Sequence, residues 1–405
     1  MRQTHSSPSP SVTWQITPNG RLILEVSEEH IRSLLDLGLS ATCIAEVTGV
    51  SRRTIFRRMS DFNLSVRSQY STMTDDELDG KVRAIKSRLP HTGYRLMKGC
   101  LQSEGYHVQW ERVNASMHRV DTAGILDRLT GMGCVVRRVY SVRGPRHLQH
   151  TDTNHKLIRY NIVIFGGIDG FSRKIMYLKT ATNNRAATAF DFFMEGVMMF
   201  GWPYKVRADQ GVENVDIARA MFTTRGTGHG SFISGKSVHN QRIERLWRDV
   251  WTAVTHVYYD VLHSLEDEGL LDLAYSLHLF CVHFVFVPRL QQDLEHFAKG
   301  WDDHSLRTER GRTPNQLWHL GLMENPVTEP DAAEGMQIDD IDWDATGFEE
   351  DPDSGVVFPD IDCPLDQAAI AELRMAVQPT AHSVSFGRDI YLMCVRHASH
   401  LAGRV

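Results

Sequence analysis

No run of about 18 apolar residues occurs anywhere in the 405-residue sequence, so no membrane-spanning helix is expected. Cysteine is sparse. Cys43, Cys100, Cys134, Cys281, Cys363 and Cys394 lie far apart and none forms a C-x-x-C pair, which argues against a zinc knuckle or a disulfide framework. That usage suits a reducing compartment. The opening stretch, MRQTHSSPSPSV, lacks the apolar centre of a signal peptide, and residues 1–20 read as a disordered tail. Positive charge is missing from Glu324 to Asp366, which holds fifteen Asp and Glu but no Lys or Arg. The net charge of −6 therefore conceals a remainder at +9, and the stretch from Lys81 to Arg146 is strongly basic. A basic front and an acidic rear imply a polyanionic partner for the front.

What is present divides the chain into segments. Residues 21–66 carry Ile31, Leu34 and Leu35 at helical spacing, Gly38 as a stop, Ser40 as a cap, Gly49 as a turn and Ser51 as a second cap. The last of these helices bears Arg52, Arg53, Arg57 and Arg58, the pattern of a helix-turn-helix with a basic recognition helix. A purely structural trihelical bundle would share this pattern. Residues 72–130 repeat it: Thr74 and Glu77 form a capping box, and Trp110, Val113 and Met117 share one helical face, with Arg112 on the other. Residues 131–147 read as a basic linker. Residues 148–322 then alternate strands and helices in the order β-β-β-α-β-α-loop-α, with RGTGHGSFISGKS as a mobile glycine-rich loop. Residues 323–366 are acidic and lack periodicity, a composition that implies disorder. Residues 367–405 regain helical or strand character as a small element of unassigned role.

Three acidic residues stand out in the strand-rich segment. Asp152, Asp209 and Glu244 fall in segments that read β, β and α. Three carboxylates from separate elements can hold two Mg²⁺ roughly 3.5–4 Å apart, clamping the attacking and leaving oxygens of a phosphodiester exchange. Gly211 lets the backbone approach a metal or phosphate closely. Arg248 lies four residues after Glu244, on the same helix face, where it could meet a phosphate, and Arg242 and Arg245 extend the basic surface. An ordinary ion pair between Glu244 and Arg248 is the plainer alternative. His150, His155, His229 and His239 are nearby in sequence and read mainly as supporting residues.

Several motifs in order carry a family resemblance. GGIDGFSRKI, RADQGVEN, SVHNQRIERLWRDVW and WDDHSLRTERGRTPNQLW resemble, over roughly residues 75–320, the integrase catalytic cores of retroviruses and retrotransposons and the transposases of bacterial insertion sequences. HTGYRLMKGCLQSEGYHVQWERV resembles the helix-turn-helix that precedes many transposase cores. The resemblance implies an α/β, ribonuclease H-like catalytic core preceded by all-α helix-turn-helix units. It also implies a first metal aspartate on the first strand, with two further strands before the first helix. Asp152 meets that requirement, whereas Asp169 would leave only one strand and sits in a Gly-Phe-Ser-Arg turn. Gln149 and Asn154 replace the Trp and Thr that flank this aspartate in bacterial relatives, and 34 residues separate Asp209 from Glu244.

The resemblance further implies a DNA integrase or transposase with catalytic and metal residues Asp152, Asp209 and Glu244 and two Mg²⁺ or Mn²⁺ ions. Its partner would be double-stranded DNA, met through Arg52, Arg53, Arg57, Arg58, Arg112, Arg242, Arg245 and Arg248, and it would act as a homo-oligomer. The expected location is the nucleus in a eukaryote and the cytoplasm otherwise. Two alternatives stay open: a domesticated DNA-binding or chromatin protein without catalysis, and a nuclease acting on RNA-containing hybrids.

Overall fold

The computed structural model describes residues 12–16, 22–120, 142–209, 212–226, 230–234, 240–327 and 365–403. Most of the expected basic linker and acidic segment, together with Gly211, His229 and His239, lies outside the described residues. The expected tail at 1–20 needs correction. Strand β1 (Val12–Ile16) pairs antiparallel with β2 (Leu22–Val26). The sequence VTWQI is rich in β-branched and aromatic residues, a strand preference that the neighbouring Pro/Ser-rich composition masks.

Helices α1 (Glu28–Asp36), α2 (Ala41–Thr48) and α3 (Arg52–Asp61) begin at serines whose hydroxyls accept backbone N–H groups: Ser27 from His30, Ser40 from Cys43 and Ser51 from Thr54. These caps satisfy N–H groups that have no partner inside the helix. Gly49 ends α2 in the left-handed conformation, with φ 70°. Ile31, Leu34, Ile44, Ile55 and Met59 form the core of this unit.

The second unit comprises α4 (Asp75–Arg88), α5 (Tyr94–Ser103) and α6 (Trp110–Val120). The capping box forms as its sequence requires: Thr74 Oγ1 accepts from Glu77 N, and Thr74 N donates to Glu77 Oε2 at 2.7 Å. Arg112, expected to meet DNA, has partners within the fold. Its guanidinium donates to Asp75 Oδ1 at 2.6 Å and to the Met73 carbonyl at 2.7 Å, so it staples α6 to the start of α4. Sequence spacing alone did not disclose this use of the side chain.

The segment from Gln149 onward is built on one sheet. Strands β3 (Gln149–Asn154), β4 (Val163–Asp169) and β5 (Ile175–Ala181) form an antiparallel meander. Helix α7 (Ala186–Phe200) then leads to β6 (Val206–Ala208), which lies parallel to β3. After α8 (Val215–Arg225), β7 (Phe232–Ser234) adds in parallel to β6, giving the order β5-β4-β3-β6-β7. This is the ribonuclease H-like arrangement, an α/β sheet with its first strand at the centre. Strand β7 falls inside the stretch read as a mobile glycine-rich loop; three residues are too few to show an alternating pattern.

Helix α9 (Gln241–Val250) continues through a π-helical turn at Trp251–Thr255 into α10 (His256–Asp267). Helix α11 (Ser276–Asp302) holds Pro288 within its length, so one backbone hydrogen bond of the helix is forgone there. Helix α12 (Pro314–Glu324) opens with a second capping box, between Thr313 and Gln316. Gln316 Nε2 also donates to the carbonyls of Leu37 and Gly38, and Leu320 joins the core of the first trihelical unit, so α12 docks that unit on the sheet domain. A cleft of about 390 Å³, lined in part by Ser40, Glu46, Lys98 and Arg310, opens at this junction.

The second unit docks through α5 on α11. Gly99 and Gly300 bring the two helices into backbone contact: a Cβ on Gly99 would lie 2.1 Å from the Gly300 carbonyl oxygen. The Arg88 guanidinium and the Tyr258 hydroxyl both donate to the buried Asp293, at 3.3 and 2.6 Å. Helices α13 (Gln367–Ala376) and α14 (Arg388–Ala402) form the C-terminal element. Their Leu373, Tyr391, Cys394 and Ala398 belong to the same buried cluster as α4, α5 and α11, so this element is part of the main core. No helix of the described residues is long and apolar enough to cross a membrane.

Candidate active site

Asp152 lies in β3, the central strand, and faces Gly166 across the antiparallel pair. Asp209 follows directly after β6, which lies beside β3. Glu244 sits in the first turn of α9, which packs on the sheet through Ile243, Leu246, Trp247 and Val250. Three elements adjacent in space thus deliver one carboxylate each.

Their charges are mutually felt. Burial and the neighbouring charge of Asp209, with a further contribution from Glu244, push the Asp152 carboxyl up to about 7. Burial and the charge of Asp209 also raise Glu244 above the usual carboxylate range. Asp209 itself is raised by burial, against the opposing effects of its own backbone N–H, His155 and Asn214. Asn214 Nδ2 donates to Asp209 Oδ1 at 3.1 Å and holds its side chain. The Trp247 indole donates to Asp152 Oδ2 at 2.7 Å.

Sequence reasoning missed a fourth carboxylate. Glu213, in a short 3-10 turn at Val212–Asn214, is 6% exposed. Burial, then the charge of Asp209, raises its proton affinity, while hydrogen bonds from Thr153 and Asn184 oppose the rise. Asn240 was missed as well. Its Oδ1 lies 2.5 Å from His150 Nδ1, and its Nδ2 donates to the Thr151 carbonyl at 2.8 Å, tying the start of α9 to β3. His150 is fully buried, and desolvation lowers its pKa to about 4, so it acts here as a neutral structural group. His155 is half-buried and desolvation lowers its pKa, against the charge of Asp209.

Asp169 has a different use. Its Oδ1 accepts from Arg146 N, and its Oδ2 accepts from the backbone N–H of Phe171 and from Ser172 N and Oγ. It is fully employed in closing the β4–β5 turn. Among the described residues Glu244 and Arg248 form no ion pair; Arg245 pairs instead with Asp249 at 3.2 Å. Arg242 is half-buried beside His150. In the first unit Arg52, Arg53 and Arg57 are exposed; Arg52 stacks over the Phe56 ring and Arg58 pairs with Asp61 at 3.7 Å.

Residues 139–332 match the family model described as Integrase core domain. Over that interval, a little under half of its length, the chain is similar to integrase core domains. As a family, integrase cores are polynucleotidyl transferases. The matched interval takes in the sheet and all three singled-out carboxylates, and it leaves both N-terminal helical units and the C-terminal helices outside its bounds. Similar solved structures include the catalytic core domain of HTLV-2 integrase in complex with magnesium, at 14% identity and a TM-score of 0.28, covering 43% of this chain and 97% of that one. Another is the intasome of simian T-cell lymphotropic virus with the PP2A regulatory subunit B56 gamma, at 12% identity and a TM-score of 0.33, covering 63% and 77%. No curated protein matches the chain.

The donor set of the site suits a hard divalent cation in kind: three carboxylates whose mutual repulsion a dication would relieve. Among the described residues no three His, Cys, Asp or Glu side chains gather tightly enough to form a ready-made cage. Asp152, Asp209 and Glu244 would hold the ions, and the ions would supply charge stabilisation at a phosphodiester.

Proposed function

We propose that this protein is a DNA polynucleotidyl transferase of the integrase and transposase type, using Asp152, Asp209 and Glu244 with two Mg²⁺ or Mn²⁺ ions. The observation that carries this reading is the placement of Asp152 on β3, Asp209 at the end of the neighbouring β6 and Glu244 on the helix packed against them; burial first, and then the charge of Asp209, raises the proton affinity of the other two. The chain's own residues set the frame. Asn214 orients Asp209, Trp247 orients Asp152, and Asn240 seats the helix of Glu244 on β3. The substrate is double-stranded DNA, engaged by the exposed Arg52, Arg53 and Arg57 of the recognition helix and by Arg248 beside Glu244. The acting form is a homo-oligomer, since two DNA ends must be joined, and it works in the nucleus of a eukaryote or the cytoplasm of a prokaryote. The test is incubation of full-length protein with duplex DNA and RNA–DNA hybrid oligonucleotides in Mg²⁺ or Mn²⁺. Nicking and joining of the duplex is the expected result. Cleavage confined to the hybrid would replace this reading with a hybrid nuclease.

A second reading, DNA binding without catalysis, is favoured by the lack, among the described residues, of a ready-made group of three metal-ligating side chains. A pH experiment separates the two. A carboxyl whose folded pKa is raised binds a proton more tightly in the native state, so the metal-free protein loses stability as pH rises from about 4 to about 7 through Asp152. A dication bound by the ionised trio reverses that loss. Addition of Mn²⁺ should therefore raise the melting temperature by several degrees at pH 7.5 and by much less at pH 5. Equal shifts at both pH values, or none, would support the non-catalytic reading.

A further inference from the structure

Two features of the sheet and helix meet at one point. The β3–β4 register sets Gly166 opposite Asp152. A Cβ on Gly166 would lie 2.6 Å from Cη2 and 3.0 Å from Cζ2 of Trp247, so the absence of a side chain there makes room for the indole to lie against the strand. The indole is 7% exposed, and its Nε1–H reaches Asp152 Oδ2 at 2.7 Å. Trp247 lies three residues after Glu244, on the same side of α9. The bond therefore joins the strand that carries one acid to the helix that carries another. One turn before Glu244, Asn240 makes the other tie, to His150 and Thr151. Glu244 is bracketed by two anchors onto a single strand.

We infer that Trp247, seated on Gly166, is a positioning residue for the cation site: its indole N–H fixes the rotamer of Asp152 and sets the separation of Asp152 from Glu244. The inference rests on the cation-binding reading above. Groups that hydrogen-bond to a metal-binding carboxylate typically change metal affinity by about 10–100-fold when they are removed. A tryptophan is an economical choice for the task. It has a single donor and no acceptor, so it can hold an ionised carboxylate without offering a competing ligand to the ion.

The test uses full-length protein and Mn²⁺ alone, with binding followed by water-proton relaxation. Asp152→Ala gives the level without the site. Trp247→Phe keeps an aromatic ring and removes the donor; it should weaken Mn²⁺ binding about tenfold or more. If its urea midpoint also falls, site-specific replacement of Trp247 by benzothienylalanine, which keeps the bicyclic ring and lacks only the N–H, should give the same weakening with an unchanged midpoint. Mn²⁺ affinity equal to wild type in the benzothienylalanine protein would overturn the inference. Wild-type protein that binds no more Mn²⁺ than Asp152→Ala would instead overturn the cation-binding reading itself, a separate and recognisable result.

Discussion

Asp209→Asn should abolish strand transfer, lowering its rate by about 10³-fold or more, while duplex DNA binding stays within about twofold of wild type. The amide is nearly isosteric with the carboxylate, and its carbonyl oxygen can still accept from Asn214 Nδ2, so the side chain keeps its anchor. What is lost is the charge at the electrostatic centre of the trio. Burial is the larger cause of the raised Asp152 and Glu244 carboxyls and the charge of Asp209 the next, so its neutralisation should also bring the Asp152 carboxyl part of the way down from about 7. Carboxyl chemical shifts against pH would show that change independently of activity. Arg52, Arg53 and Arg57 lie on a different unit, which is why binding should survive. Undiminished metal-dependent strand transfer by this variant, in a gel assay with labelled ends, would remove the enzymatic interpretation.

The second large effect is structural. Gly99→Val should cost more than about 3 kcal/mol, a large part of the ~5–15 kcal/mol that stabilises a typical domain. A Cβ at this position meets the Gly300 carbonyl oxygen at 2.1 Å and the His304 backbone nitrogen at 2.8 Å. Both are backbone atoms of the facing segment, so no side-chain rotation relieves the clash. The reverse position is equally closed: a Cβ on Gly300 meets Cys100 Sγ at 2.3 Å and Cys100 N at 3.1 Å. Helices α5 and α11 would have to separate, opening the contacts of Met97, Leu101 and Phe297. The denaturation midpoint in urea should fall accordingly. Gly105→Ala, at the end of α5 where a Cβ meets nothing within 4 Å, should cost less, limited to the strain of its φ of 88°. Equal midpoints for Gly99→Val and wild type would show that the two helices do not touch in solution.

The sequence disclosed the parts governed by local rules. Ser40, Ser51 and Thr74 cap helices because their hydroxyls answer the nearest free backbone N–H groups, and such pairs are only three residues apart. The apolar spacing of Ile31, Leu34 and Leu35 likewise suffices to define a helix. Asp209 and Glu244 could be singled out because each stands at the end or start of a recognisable element. Features that depend on distant partners stayed hidden. Arg112 reads as a free cation until α4 brings Asp75 beside it. Glu213 reads as a surface acid, yet the 3-10 turn folds it under Thr153 and Asn184. Trp247 reads as one more apolar position on α9, and only the register of β3 with β4 shows why its polar edge matters. Strand β7 exists because β6 offers it a parallel edge, which no property of its three residues announces.

The main buried cluster runs from Leu78 to Leu401 and draws on helices that lie on both sides of residues 139–332. A recombinant fragment trimmed to that interval would strip Val285, Phe286, Leu294 and Phe297 of much of their cover and present a greasy flank to water. Such a piece should aggregate on expression. The smallest well-behaved unit of this protein is set by where its oil ends, and that reaches from the first turn of α4 to the last turn of α14.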